Sequence, residues 1–174
     1  IKEFSLPENL KLSVHSGSDK FSIYAPMAKA IKKFDTGLHI KTAGTTWLEE
    51  LIGLAEAGGD GLLLAKEVYR KAFERYDELA APYATVIDIN RDALPAPKIV
   101  DSWDSATYAE SLRHDQKNPN YNIHFRQLLH VGYKVAAEIG PRYLGMLQRY
   151  EEVVSKQVTE NIFERHFRKI FIDN

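Results

Sequence analysis

The stretches LKLSVH (residues 10–15) and LHIK (residues 38–41) decide the fold class, because apolar and polar side chains alternate in both of them. Successive side chains of a β-strand point to opposite faces, so each stretch predicts a strand with one apolar and one polar face. The residues predicted to lie on the polar faces are Lys11, Ser13, His15, His39 and Lys41.

A helix is predicted between the two strands. Apolar residues recur at helical spacing from Phe21 to Phe34, and Asp35-Thr36-Gly37 then supplies a turn. Strand, helix and strand within this length form the βαβ unit of a parallel sheet. In a β/α barrel, helices cover the apolar outer face, and the polar residues at the carboxyl ends of the strands carry the chemistry. We therefore expect an α/β fold, namely the C-terminal part of a TIM-type (β/α) barrel holding its last two β/α units.

The sequence pattern of the remaining residues predicts helices and loops. Together they are expected to form a helical C-terminal extension. We expect residues 1–79 to hold the two β/α units and residues 80–174 to form a loop-rich and helical region packed on the same domain. The helices are predicted at 61–79, 122–139, 141–154 and 156–172, with loops at 88–102 and 115–122.

Two parallel strands do not form a stable sheet by themselves. We therefore expect this chain to be the C-terminal part of a longer protein, whose upstream part supplies the missing strands and is the chain's partner. The alternative is a compact, mostly helical domain with a two-stranded appendage.

The composition excludes some classes of partner and restricts the kinds of metal ligand. The 174 residues carry a net charge of −1, which argues against nucleic acid or an anionic membrane as a partner. No apolar run approaches the roughly 20 residues that span a bilayer. Because the chain has no cysteine, a metal would need histidine and carboxylate ligands. The expected compartment is the cytoplasm.

The segment after the first strand combines several groups with chemical potential. His15 at the strand end is a candidate metal ligand, and Ser16, Ser18 and Lys20 are candidate substrate-binding residues near a helix amino terminus, where anions bind favourably. Asp19 either caps the helix or holds a substrate hydroxyl. It is a candidate catalytic residue.

The second strand repeats this arrangement. His39 is the second candidate metal ligand, and Lys41 is a candidate catalytic residue that polarises a carbonyl or binds a carboxylate. Thr42 and Thr45 are candidate substrate-binding residues, although helix capping also explains them.

A third cluster lies on the predicted helix 122–139. His130 and Lys134 lie away from its apolar stripe and are candidate substrate-binding residues, although such a face is often simply solvated. For His166 we expect packing or surface exposure.

Four strings carry a resemblance to a known family: LSVHSGSDKFSIY, HIKTAGTTWLEEL, FRQLLHVGYKVAAEIG and VTENIFERHF. In this order they resemble the C-terminal portion of the tagaturonate epimerase family, with a more distant likeness to tagatose-bisphosphate aldolase-type barrels. The resemblance implies a β/α-barrel isomerase, a divalent cation (Zn, Mn, Co or Ni) and a six-carbon keto-uronate substrate.

The implied substrates constrain the mechanism. Tagaturonate and fructuronate differ at a carbon β to the ketone, which α-proton abstraction does not invert. Retro-aldol cleavage followed by aldol re-formation inverts it, with a Lewis acid and a base. We expect the base and further metal ligands outside this segment, and the segment to be inactive alone.

Two other readings stay open at this point. One is a barrel aldolase or a 4-epimerase of a neutral ketose, and the other is a non-catalytic helical module whose polar strand faces are solvated.

Overall fold

The computed structural model describes residues 2–7, 9–15 and 19–173. Strands β1 (Leu12–His15) and β2 (Leu38–Lys41) pair in parallel, as the alternating patterns predicted. Between them, a 3-10 turn over Phe21–Ile23 leads into helix α1 (Tyr24–Phe34). The helix ends at Asp35, whose left-handed φ of 46° is typical of a helix C-terminus.

The rest of the described chain is helical. The helices are α2 (Ala43–Ala57), α3 (Gly59–Glu74), α4 (Tyr76–Ala80), α5 (Pro97–Asp101), α6 (Ser105–Leu112), α7 (Ile123–Val131), α8 (Tyr133–Ile139), α9 (Pro141–Arg149) and α10 (Glu151–Thr159), followed by a π-helical stretch, Glu160–Phe167, and by α11 (Arg168–Phe171). Short 3-10 turns cover Lys2–Phe4, Ala81–Tyr83 and Arg91–Ala93. None of these helices has both the length and the apolar character to cross a membrane.

The prediction of a TIM-type barrel is wrong. Within the described residues, β1 and β2 form the only sheet, and nearly all other regular structure is helical. Helices do not cover the apolar strand face as they would in a barrel, since Leu10 and Leu12 are 48% and 66% exposed. The apolar stripes that follow β2 pack against other helices instead. The alternative of a mostly helical domain with a two-stranded appendage describes this architecture.

The chain forms two compact units. The smaller unit comprises residues 1–45 and 159–174, and the helical unit comprises residues 46–158. The predicted segments 1–79 and 80–174 stay a prediction about the organisation of the complete protein.

The core of the helical unit follows from helical periodicity. On α2, the side chains of Leu48, Leu51, Ile52 and Ala55 are fully buried at the spacing of one helix face. Phe125 of α7 anchors an aromatic cluster, with ring centroids of Tyr69, Tyr108 and Trp103 at 4.6, 5.2 and 5.4 Å. Burial of such side chains contributes most of the stabilisation of a helical domain.

Two buried cationic side chains in this unit donate to backbone carbonyl groups. The Lys66 ammonium donates to the carbonyls of Asp101 and Trp103, at 2.9 and 2.5 Å. The Arg126 guanidinium donates to the carbonyl of Leu112 at 2.8 Å. These carbonyl groups lie near helix ends, where no intrahelical donor reaches them.

The smaller unit packs α1 against α11. Tyr24 and Ala28 are the buried residues of α1, and Ile170 of α11 is 3% exposed. The π-helical stretch immediately before α11 buries Asn161 and His166. π-Helical turns are rare and occur frequently at functional sites.

Candidate functional site

The register of the sheet decides which predicted site residues are neighbours. His15 of β1 lies opposite Lys41 of β2, and Ser13 lies opposite His39. Because side chains two apart on a strand share a face, these four residues lie on the same face of the sheet. His15, His39 and Lys41 are all exposed.

The two candidate metal ligands are diagonal neighbours rather than directly opposed. His15 is the last residue of β1, whereas His39 lies two residues before the end of β2. The strand spacing and the rise per residue separate their positions by about 8 Å, a span that two imidazoles can bridge around one ion. In residues 2–7, 9–15 and 19–173, no three histidine or carboxylate side chains are grouped to hold a metal. The two histidines by themselves do not form such a group.

An open cavity of about 450 Å³ lies beside one of these histidines. His39 and Ser13 line it together with Lys11 and Leu38, whereas His15 does not. This cavity is therefore not shared by the two imidazoles.

The other predicted substrate-binding residues of this unit lie in different surroundings. Lys20 is exposed and immediately precedes the 3-10 turn, and Thr42 is half-buried before α2. Thr45 lies in the first turn of α2 and is fully buried. Ser16 and Ser18 lie outside the described residues, so their predicted role stays a prediction.

His130 and Lys134 belong to the helical unit, not to the unit that carries the sheet. Lys134 donates to a carboxylate oxygen of Glu78 at 2.6 Å, and Arg75 bridges Glu78 and Glu138 beside it. His130 lies half-buried in the last turn of α7. Their predicted substrate contacts stay predictions.

Asp19 is the predicted residue whose environment is most unusual. It is 3% exposed, and its carboxylate oxygen lies 3.3 Å from Nε2 of His166. The His166 ring is 1% exposed, and its Nδ1 lies 2.9 Å from the carbonyl oxygen of Asn161. Sequence reasoning missed this pair, because no local pattern links two residues so far apart in the chain.

Aromatic rings surround the imidazole of His166. The ring centroids of Phe21 and Tyr24 lie 5.4 and 5.2 Å from it. The Arg165 guanidinium lies over the Phe21 ring at 4.2 Å, a cation–π contact. Burial, with a smaller contribution from the Asp19 carboxylate, raises the pKa of the Tyr24 hydroxyl. The Asp19–His166 pair thus lies in an environment of low polarity.

A second partly buried acidic group lies in the helical unit. The Tyr143 hydroxyl donates to the Glu50 carboxylate at 3.0 Å, and burial raises the pKa of Glu50 despite this hydrogen bond. Trp47 packs near Tyr143 and donates its ring N–H to the carbonyl of Leu129. Sequence reasoning did not single out this cluster either.

Comparison with known proteins relates this chain to one family. The model of the tagaturonate epimerase family matches residues 4–170. A curated tagaturonate/fructuronate epimerase of Thermotoga maritima is 31% identical over 164 residues, which cover 91% of this chain and 30% of that protein. This chain therefore spans less than a third of the length of that relative. No solved structure matches the chain.

Proposed function

This chain belongs to the tagaturonate epimerase family, and from this premise we propose that it is part of an isomerase that interconverts D-tagaturonate and D-fructuronate. The observation that carries the proposal is the family match over nearly the whole chain, together with the shared polar face of β1 and β2. That face presents two imidazoles and a lysine to solvent.

We propose a retro-aldol route. The hydroxyl on the epimerised carbon loses its proton to a base, and the bond from this carbon to the carbon beside the ketone breaks. Its electron pair becomes that of an enolate, and the epimerised carbon becomes an aldehyde. Rotation of the aldehyde and re-formation of the same bond give the alkoxide of the other epimer, and the base returns the proton to this oxygen, so all atoms are conserved.

A divalent cation is part of this proposal. When bound, it supplies positive charge that stabilises the enolate. His15 and His39 would hold it, with further ligands from outside the described residues, since their exposed positions on one sheet face suit two imidazole ligands. Lys41, the register neighbour of His15, is suited to bind the negative charge that develops on the ketone oxygen.

The buried position of Asp19 favours a different role from the one predicted. Its carboxylate faces His166 and is 3% exposed, so it does not present a proton acceptor to solvent. We therefore assign the general base to a group outside the described residues.

The experiment that tests the site uses the full-length protein with His15→Ala and His39→Ala. We expect metal content, measured by mass spectrometry, and epimerase activity to fall together by at least about tenfold, because each substitution removes a direct ligand. His124→Ala, which replaces a histidine of the helical unit, is the matched control. Full metal occupancy in both strand variants would refute the ligand assignment.

The route is tested with substrate that carries deuterium on the epimerised carbon. Retro-aldol chemistry never breaks this carbon–deuterium bond, so we expect complete retention of deuterium and no primary isotope effect. A primary isotope effect would overturn the retro-aldol route. Net accumulation of two three-carbon products would instead indicate an aldolase.

A further inference from the structure

A buried carboxylate and a buried imidazole lie in contact just before the 3-10 turn that leads into α1. Asp19 and His166 have side chains that are 0% and 1% exposed, with 3.3 Å between Oδ1 and Nε2. The backbone of Asp19 has a left-handed φ of 43°. This conformation is unfavourable for most residues other than glycine, although aspartate and asparagine adopt it more readily than the others.

The hydrogen-bond partners define where the proton of this pair lies. A carbonyl oxygen carries no hydrogen, so Nδ1 of His166 donates to Asn161. With Nδ1 protonated, a neutral ring would direct the lone pair of Nε2 at the Asp19 carboxylate. The contact between Nε2 and the carboxylate is favourable only with a proton on one of the two groups.

The residue after Asp19 is an exposed cation on the turn that this pair holds. The amide of Phe21 donates to the carbonyl of Asp19 at 2.8 Å, and the amide of Ile23 donates to that of Lys20 at 3.1 Å. Within the part of the chain that the structure describes, the Lys20 ammonium joins no ion pair, although several other surface cations do. The turn therefore presents a positive charge that joins no ion pair among the described residues.

We propose that the Asp19–His166 pair positions the turn that carries Lys20, so that the Lys20 ammonium binds the carboxylate of the keto-uronate. This inference rests on the proposed function. A uronate and the corresponding neutral ketose differ at the terminal carbon, where one has a carboxylate and the other a hydroxyl group. A cation on an ordered turn discriminates between them, because its backbone is already fixed when the substrate binds.

The proposal makes His166 a positioning residue, and two conservative variants of the full-length protein test it. His166→Gln places an amide N–H near the position of Nε2 and keeps a donor towards Asp19. His166→Asn places it near Nδ1 and loses that donor. Asp19→Asn, which tolerates the left-handed backbone, removes the carboxylate charge in case His166→Asn does not fold.

For kinetics, we expect Lys20→Met to raise KM for the uronate about tenfold, with little change in kcat, because the lost contact is made equally before and during reaction. His166→Asn should raise KM several-fold, His166→Gln should largely restore it, and the double variant His166→Asn/Lys20→Met should match Lys20→Met. A fall in kcat at constant KM, or additive effects, would overturn the proposal.

Amide hydrogen exchange provides a readout that is independent of turnover. Exchange at Phe21 and Ile23 should accelerate in His166→Asn and Asp19→Asn but remain slow in His166→Gln and in the control His124→Asn. Unchanged exchange in His166→Asn and Asp19→Asn would refute the anchoring. Absence of uronate turnover by the unsubstituted protein would instead refute the proposed function and the role of Lys20, whatever the exchange shows.

Discussion

In the helical unit (residues 46–158), buried cations face backbone carbonyl groups, whereas in the smaller unit (residues 1–45 and 159–174) a buried aspartate faces a buried histidine. Lys66 and Arg126 thus complete hydrogen bonds that the backbone of the helices requires. Asp19 and His166 instead place two titratable side chains, a carboxylate and an imidazole, next to each other.

The two units also differ in how they expose apolar and polar groups. The α2 face of the helical unit is fully buried, while Leu12 of β1 is 66% exposed and the histidines of the sheet face solvent. We infer that substitutions on the buried face of α2 lower the free energy of unfolding more than substitutions at the exposed positions of β1.

The same substitution in both units gives the largest expected contrast. Leu51→Ala on α2 should lower the free energy of unfolding by about 2–5 kcal/mol, because it leaves a cavity in the core. Leu12→Ala on β1 should lower it by less than about 1 kcal/mol, since little burial is lost. Urea denaturation followed by circular dichroism measures both. Equal losses would contradict the comparison.

The carbonyl-binding role of Lys66 predicts the next largest effect. Lys66→Met retains most of the side-chain volume but leaves the carbonyls of Asp101 and Trp103 without their donor, and should destabilise the protein by about 1–3 kcal/mol. Lys98→Met, at an exposed position on α5, should change stability by less than about 0.5 kcal/mol. A Lys66→Met protein as stable as the unsubstituted one would show that water satisfies these carbonyls.

Two glycines in the helical unit should respond to alanine with opposite signs. A Cβ at Gly53 on α2 would lie 2.7 Å from the backbone Cα of Val154, so overpacking should outweigh the gain in helix propensity and destabilise by about 1 kcal/mol. At Gly145 on α9, a Cβ meets no atom within 4 Å, and Gly145→Ala should stabilise by about 0.5–1 kcal/mol. Thermal unfolding compares the two. Stabilisation by Gly53→Ala would contradict the close packing there.

The smallest expected effect is a pH-dependent change in stability on substitution of Glu67. A hydrogen bond from Arg142, with a smaller contribution from Lys71, lowers the pKa of Glu67 from 4.5 to about 2. A lowered pKa in the folded state stabilises the protein above the unfolded pKa, and this stabilisation disappears as pH falls through the folded pKa.

Glu67→Gln should therefore cost less than about 1 kcal/mol at pH 7, because the partners of Glu67 are largely solvent-exposed. The difference from the unsubstituted protein should vanish between pH 4.5 and about 2. Urea denaturation at a series of pH values measures it, with the exposed Glu152→Gln as control. A difference that is independent of pH would contradict an ionic origin.

Local patterns predicted the strands and the helix between them, whereas α5 lies within the predicted loop 88–102 and α6 was not predicted. Alternation of apolar and polar residues predicted β2 at its observed bounds and β1 to within two residues. Helical spacing of apolar residues predicted a helix over 21–34, and α1 lies within this stretch. The predicted helix 122–139 exists but is divided at Gly132, whose amide bonds the carbonyls of Leu128 and Leu129 as α7 ends. Helix breaks of this kind depend on packing as well as on propensity, so periodicity alone does not fix them.

Part of the candidate site was also predictable. Alternation alone placed His15 and His39 on the same face, and the register added that His15 faces Lys41 and His39 faces Ser13. The burial of Thr45 and the partner of Asp19 were not predictable, because both depend on residues outside their own segments.

By itself, the sequence determined two polar-faced parallel strands, the helical character of the remaining chain, and the family to which the chain belongs. Only the tertiary structure decided that the strands form a small appendage rather than barrel units, and that Asp19 meets His166 in a buried pair. The physical reason is the separation along the chain over which each interaction acts. Side-chain periodicity and turn chemistry act within a few residues, whereas sheet extension and buried charge pairing depend on segments distant in sequence.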